Sequence, residues 1–268
     1  MAVFYMKKKG IISNLIDRLS LAVMSVLSGH IKNKLINEQY LNNKEAWHKY
    51  LNNTPAAGSI YLIEDQTLLS EFRYGTNKGF IGKKLFNGKE MTGADNTCEV
   101  IALYNAMHFL EYQNFSAQKK SPEQSVPDSF KPSHHSFPQL LRLFSKKGIS
   151  LRGMFGTNPN ALYKYLLNHK YNVEKIKSSK INEKNCRSFE EKYPVYIFST
   201  FNEGQNPWSM IHTMCITRDS LSASQKASYR IHNDYEGSKS YPTLYDAVTG
   251  YNNGKGHPII IFGVSLPD

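Results

Sequence analysis

The sequence NTCEVIALYNAMHFLEY, residues 96–112, carries the clearest helical pattern in the chain. Its apolar side chains recur at the i, i+3, i+4 and i+7 spacing of one helix face, at Val100, Leu103, Tyr104, Met107 and Leu110. Asn96 is a favourable N-cap residue, and Glu99 three positions later completes a capping box. The pattern therefore predicts a helix from Thr97 to about Tyr112, with Cys98 in its first turn.

Two further helices are expected after this one, because each begins with a cap residue followed by proline. Ser136 precedes Pro138 at the start of the first, and Asn158 precedes Pro159 at the start of the second. The polar, proline-containing segment 114–136 between the helices shows no apolar periodicity and is predicted to be a long loop. Such a loop is a candidate for shaping a substrate cleft.

The C-terminal part of the chain changes character and predicts strands. Runs rich in β-branched and aromatic residues occupy positions 173–176, 194–201, 211–217, 229–233 and 258–264. Helices followed by a series of strands are typical of an α+β fold with an antiparallel sheet. We therefore expect the helix that carries Cys98 to pack on such a sheet.

Residues 1–58 are expected to form a helical N-terminal extension, and residues 59–268 a single domain. Within the extension, the segment 11–27 has apolar residues at helical spacing but also contains Asp17 and Arg18. Charges in the middle of a membrane span are costly, so the segment is predicted to be an amphipathic helix. Such a helix either packs on the domain or lies on an anionic membrane surface.

Charge and cysteine usage narrow the classes of partner and cofactor. The chain has 268 residues and a formal net charge of +11, which favours anionic partners. Its cations are dispersed, without the basic stripe of a nucleic-acid surface, so no nucleic acid is expected. The three cysteines include no CxxC pair, which argues against a structural zinc site or a disulfide framework. No cofactor or metal is therefore expected.

Cys98 is the candidate nucleophile. The first turn of a helix offers unpaired backbone N–H groups and a partial positive charge, and both stabilise a thiolate. The same N–H groups can bind a developing oxyanion. On position alone, a small buried residue explains Cys98 equally well.

A nucleophilic thiol needs a base, and His212 is the best candidate among the nine histidines. It lies at the start of a predicted strand, whereas His134 and His135 lie in the polar loop. The next predicted strand ends at Asn233, whose side chain is expected to accept a hydrogen bond from His212 and fix its tautomer. A metal hydrolase that uses His134 and His135 is disfavoured, because no H-E-x-x-H motif accompanies them.

The order of these elements resembles that of papain-like cysteine peptidases, in particular the bacterial double-glycine leader peptidases and their solitary relatives. The resemblance covers roughly residues 74–264 and leaves out the N-terminal extension. It is carried by the stretches 96–106, 156–159 with 162–173, 194–197, 211–213 and 229–233. It implies a papain-like fold and a Cys98, His212, Asn233 triad, with Asp234 as the fallback for the third member.

Two positions depart from the pattern of that family. The family usually has a glutamine about six residues before the nucleophile as an oxyanion donor, where this chain has Thr92. Asn96 is the candidate to replace it. Relatives often have glycine after the nucleophile, where this chain has Glu99, which is interpreted as the capping-box partner and not as a catalytic acid.

The sequence thus predicts a cysteine peptidase or hydrolase that acts on a peptide or protein substrate. The alternatives are acyl transfer or deamidation by the same triad, or a non-enzymatic basic module that binds an anionic membrane surface. Reduced thiols favour a cytoplasmic location, membrane association through the N-terminal helix is an alternative, and secretion stays open. The oligomeric state is left open as well.

Overall fold

A computed structural model of the protein describes residues 15–19, 22, 32–53, 62–75, 92–118, 132–150, 156–204, 211–219, 228–234, 237 and 239–267. Within these ranges the chain combines helices with one antiparallel sheet, which confirms the predicted α+β class. The glycine-containing segment 76–91, most of segment 11–27 and residues 119–131 of the predicted loop lie outside the described residues.

The sheet of the described chain has six strands in the order β1-β6-β2-β3-β4-β5. The strands are β1 (Asn172–Lys177), β2 (Val195–Phe201), β3 (Ile211–Asp219), β4 (Ser228–His232), β5 (Ser240–Tyr241) and β6 (His257–Ser265). Every paired neighbour runs antiparallel. All the predicted strand runs are therefore confirmed as strands, with ends that differ by one or two residues.

Helices cover both faces of the sheet. They are α1 (Asn33–Asn53), α2 (Gly93–Asn96), α3 (Cys98–Gln118), α4 (Phe137–Lys146), α5 (Pro159–Asn168), α6 (Glu183–Lys192) and α7 (Leu244–Gly250). Apolar residues of α1, α3, α4 and α5 form one core with the face of β2 that carries Val195 and Ile197. Residues of α6 and α7 form a second core with the opposite face, which carries Tyr196 and Phe198.

Helix α3 is the centre of the first core. It packs against β2 and β3, and all its residues from Cys98 to Leu110 are buried. The sequence pattern predicted one apolar face, whereas this part of the helix is enclosed on every side, as expected for a helix in the middle of a core. Its C-terminal end lies beyond the predicted one, so residues 114–118 of the expected loop are helical.

The predicted starts of α4 and α5 are confirmed. Ser136 is the N-cap of α4, and its backbone N–H donates to Gln139 Oε1 over 2.7 Å. Asn158 is the N-cap of α5, and its Oδ1 accepts from the backbone N–H of Asn160 over 2.9 Å. In both cases a local side-chain acceptor satisfies a backbone N–H that the first helical turn leaves open.

The predicted capping box of α3 is wrong. Asn96 ends the preceding helix α2, and α3 begins at Cys98. The Asn96 amide donates to the backbone carbonyl of Tyr74 over 2.8 Å, and the Glu99 carboxylate accepts from the backbone N–H of Thr157 over 3.2 Å. A capping box would join each of these side chains to the backbone N–H of the other residue. In the structure both side chains instead bond backbone groups that are distant in sequence.

Two described parts of the N-terminal extension contact the rest of the chain. Helix α1 contributes Ile36, Ala46 and Trp47 to the core that contains α3. In the helical segment 15–19, the buried Asp17 lies 3.3 Å from His257 Nε2 at the start of β6. None of the helices that the structure describes has the length and apolar character needed to cross a membrane.

Candidate active site

Cys98 is the first residue of α3 and only 6% of its surface is exposed. Its sulfur interacts with the side chain of Glu99 and with the backbone N–H of Thr213, which belongs to the peptide group joining His212 to Thr213. The start of the helix that carries the predicted nucleophile therefore lies against the predicted base strand, β3, at the position of His212.

The pKa of Cys98 is raised well above its ordinary value, so the predicted stabilisation of a thiolate is not what this site gives. Burial is the largest cause and the negative charge of Glu99 adds to it, whereas the Thr213 backbone lowers the pKa. Loss of solvation and the neighbouring carboxylate thus disfavour a thiolate at this position. Cys98 is a neutral thiol at neutral pH.

Glu99 is a buried carboxyl group directly beside that thiol. Only 2% of it is exposed, and burial raises its pKa to about 7. Hydrogen bonds from the backbone of Thr157 and from Cys98 act in the opposite direction. Glu99 therefore interacts with the candidate nucleophile, which the interpretation as a capping partner did not anticipate.

His212 is buried at the start of β3, and its Nε2 lies 2.7 Å from the backbone carbonyl oxygen of Asn233. A carbonyl oxygen can only accept a hydrogen bond, so Nε2 carries the proton and Nδ1 is the basic nitrogen of the neutral ring. Burial lowers the pKa of His212 to about 4, although the bond to Asn233 raises it in part. His212 is therefore an uncharged acceptor at neutral pH.

The sheet places the His212 side chain with a defined set of neighbours. Side chains alternate along a strand, so His212 lies on the same face of β3 as Met214, which belongs to the α6 and α7 core. The His212 ring accordingly stacks near Tyr251 with 6.3 Å between ring centroids. Cys98 approaches the same stretch of β3 from the α3 side, at the peptide that follows His212. The thiol and the imidazole therefore lie on opposite faces of β3, and the structure does not bring these two predicted site side chains together.

Asn233 contacts His212 through its backbone and not through the predicted side chain. It follows β4 in the left-handed region with φ +64°, a conformation that asparagine tolerates better than most residues. Its side chain bonds Gln66 instead: Oδ1 accepts from the Gln66 backbone N–H over 2.8 Å, and Nδ2 donates to Gln66 Oε1 over 3.2 Å. The third predicted member thus orients the imidazole through its carbonyl oxygen.

The other two predicted site residues have different surroundings. Asn96 is buried, with its amide held by the Tyr74 carbonyl as described above. Asp234, the fallback for the third member, is half-buried after β4, and its backbone carbonyl accepts from the Gly237 N–H over 3.3 Å.

Comparison with models of known protein families, with curated proteins and with solved structures finds no match. The assignment of a function therefore depends on the contacts within this chain. Among the described residues no group of three or more His, Cys, Asp or Glu side chains could hold a metal ion.

Sequence reasoning missed a polar cluster beside the site. Glu64 accepts from His232 Nδ1 over 3.0 Å and forms an ion pair with Arg230 over 3.2 Å, and His232 Nε2 lies 2.7 Å from Thr217 Oγ1. The segment that carries Glu64 and Gln66 thus binds the end of β4 through several side chains. The segment has no periodicity in the sequence, and its partners at the end of β4 lie more than 160 residues away. No local signal identifies it.

Proposed function

We propose that the protein is a papain-like thiol hydrolase that cleaves a peptide or amide bond, with Cys98 as nucleophile and His212 as general base. The proposal is carried by the order of Cys98, His212 and Asn233 along the chain, and two contacts support it: the Cys98 sulfur meets the backbone N–H of Thr213, next to His212, and His212 Nε2–H is held by the Asn233 carbonyl. A thiol, an imidazole that can act as base, and a group that orients the base are the three parts that such chemistry needs.

The reaction begins from two neutral groups. The sulfur of Cys98 attacks the substrate carbonyl carbon, and its proton passes to Nδ1 of His212. The carbonyl oxygen becomes an oxyanion, for which the backbone N–H of Cys98 is the donor and Asn96 a second candidate. The C–N bond then breaks as His212 returns the proton to the leaving amine. Water, deprotonated by His212, hydrolyses the thioester and regenerates the thiol.

The raised pKa of Cys98 and the lowered pKa of His212 are compatible with this sequence. Both shifts disfavour a thiolate–imidazolium pair at rest, so in this proposal the proton leaves the thiol as the sulfur attacks. The proposal requires that the His212 side chain, which lies with Tyr251 on the α6 and α7 face of β3, reorients toward Cys98 when substrate binds. The order Cys98, His212, Asn233 and the resemblance to double-glycine leader peptidases support a peptide as substrate. Attack of an amine, in place of water, on the same thioester would make the reaction an acyl transfer.

Limited alkylation tests the proposal. Iodoacetamide at neutral pH, followed by peptide mass spectrometry, should modify Cys98 ahead of Cys186 and Cys215, which are both 0% exposed. His212→Phe should slow the modification of Cys98, and Cys98→Ala should abolish hydrolysis of a peptide library, whereas Cys186→Ser should retain it. Peptide turnover that survives Cys98→Ala would end the proposal.

A further inference from the structure

Gln66 lies between the two halves of the candidate site. It begins the 3-10 turn Gln66–Leu69, whose N-cap Asp65 accepts from the Thr67 N–H over 2.8 Å. Only 3% of Gln66 is exposed, which is unusual for a glutamine. A buried amide needs partners for its oxygen and its nitrogen, and those partners identify its role.

On the side of the sheet, Gln66 forms hydrogen bonds with Asn233, the residue that orients His212. The backbone N–H and side-chain oxygen of Gln66 bond opposite ends of the Asn233 amide, at 2.8 Å and 3.2 Å. These two bonds hold the Asn233 side chain while its backbone keeps φ at +64°. That backbone conformation in turn directs the Asn233 carbonyl oxygen to His212 Nε2, 2.7 Å away.

On the helix side, the same Gln66 amide holds the approach to Cys98. Its Nε2 donates over 2.8 Å to the backbone carbonyl of Ala94 in α2, four residues before Cys98. The 3-10 turn and α2 also meet closely at Gly93, where a Cβ atom would lie 2.8 Å from the Leu69 carbonyl oxygen. The Gly93 N–H donates to the Phe72 carbonyl over 3.0 Å, which ties the two segments together.

We propose that Gln66 is a positioning residue that couples the Cys98 end of α3 to Asn233, whose carbonyl oxygen orients the imidazole of His212. It acts through Asn233 on one side and through Ala94 on the other, and this inference rests on the thiol-hydrolase function proposed above. Only an amide supplies both the acceptor for Asn233 Nδ2 and the donor for the Ala94 carbonyl. Glutamate keeps the acceptor alone, and methionine keeps neither.

The rate of Cys98 alkylation by iodoacetamide, followed from pH 6 to pH 10, tests this role in the full-length protein. We expect Gln66→Met to slow the reaction about tenfold near neutral pH, since small misplacements of a catalytic group are costly. Its pH profile should approach that of His212→Phe, in which no base at position 212 assists the reaction. Gln66→Glu should fall between Gln66→Met and the wild type.

Gln139→Met is the matched control, because Gln139 also bonds the backbone at a helix start but is exposed and lies on α4. Thermal unfolding followed by circular dichroism checks each variant. General loosening would expose the buried thiol and raise the rate at every pH, which is the opposite of the expected change. If Gln66→Met does not fold, Gln66→Glu carries the comparison.

The outcomes separate this inference from the proposed function. A slower rate in both His212→Phe and Gln66→Met supports the positioning role. A slower rate in His212→Phe, with Gln66→Met and Gln66→Glu indistinguishable from Gln139→Met, overturns the role of Gln66 and leaves the function standing. An unchanged rate in His212→Phe refutes the proposed base, and the positioning role with it.

Discussion

Cys98 and His212 are both uncharged at neutral pH because each is buried. Burial raises the pKa of the thiol and lowers that of the imidazole to about 4. Both shifts have the sign expected when a charged form loses its solvation.

Substitution of Asn233 separates the role of its backbone from that of its side chain. Alanine in the left-handed region costs about 1–2 kcal/mol, whereas glycine adopts it freely. We expect Asn233→Ala to slow Cys98 alkylation about tenfold at pH 7, because relief of that strain moves the carbonyl away from His212. Asn233→Gly keeps the carbonyl in place and should lie between Asn233→Ala and the wild type.

The same measurement on Asn253 supplies a control, since Asn253 also has a positive φ, of +52°, but lies in the turn before β6. Asn253→Ala should carry a similar strain without slowing the reaction of Cys98. Equal rates for Asn233→Gly and Asn233→Ala would show that the side chain orients His212, as the sequence pattern first predicted.

At the level of elements, the sequence predicts the parts whose signals are local. The caps of α4 and α5 and the runs of β-branched and aromatic residues in β2, β3 and β6 are each contained in a short stretch of sequence. Helix α6 was missed because its sequence EKNCRSFEEK buries only Cys186 and Phe189. Helix α7 was missed because seven residues are too few to establish a period.

The site needed information that no local pattern holds. Cys98 and His212 were chosen as candidates because each lies at the start of a recognisable element. The bond between Gln66 and Asn233 joins residues 167 positions apart, and only the folded register of the strands brings them together. Glu99 illustrates the same limit, because a capping box was available locally and the Thr157 backbone competed for its carboxylate.

Gly156 tests how closely the start of α3 fits the strand-like segment before α5. It has φ +60°, and a Cβ atom there would lie 2.5 Å from Glu99 Oε2. Gly156→Ala should therefore lower the free energy of unfolding by about 2–4 kcal/mol, the sum of backbone strain and overpacking. Urea unfolding followed by tryptophan fluorescence measures this change.

Gly204→Ala is the control for backbone strain alone. Gly204 has φ +53°, and no heavy atom lies within 4 Å of the position of its Cβ. This variant should lose only about 1–2 kcal/mol. Equal losses in the two variants would show that Gly156 does not serve the close packing of Glu99.

On the scale of the whole molecule, several histidines with little exposure make the stability of the fold sensitive to acid. His108 in α3 lies 3.2 Å from His134 Nε2 and stacks on Tyr104, with 5.2 Å between ring centroids. His134 Nδ1 also donates to the backbone carbonyl oxygen of His135, and the negative charge of Glu111 acts to raise the pKa of His134. Burial is the largest cause that lowers the pKa of both His108 and His134. This cluster joins residues 134–135 before α4 to the middle of α3.

The free energy of unfolding should therefore decrease as the pH is lowered, and the pKa of His108 helps to set the pH range in which it does so. Its pKa drops from 6.5 to about 3 on folding, so between these values the unfolded chain binds a proton that the folded chain does not. The contribution is complete above pH 6.5 and is lost as the pH falls toward 3. His108→Phe keeps the aromatic contact with Tyr104 and removes the titrating group. We expect it to reduce the pH dependence of the unfolding free energy by about 1 kcal/mol per pH unit between pH 6 and pH 4.

Urea titrations at several pH values measure this slope, with His48→Phe on the exposed surface of α1 as the control. A slope identical to that of the wild type would mean that His108 stays neutral in the unfolded chain as well, or is charged in the folded one, and would contradict the prediction.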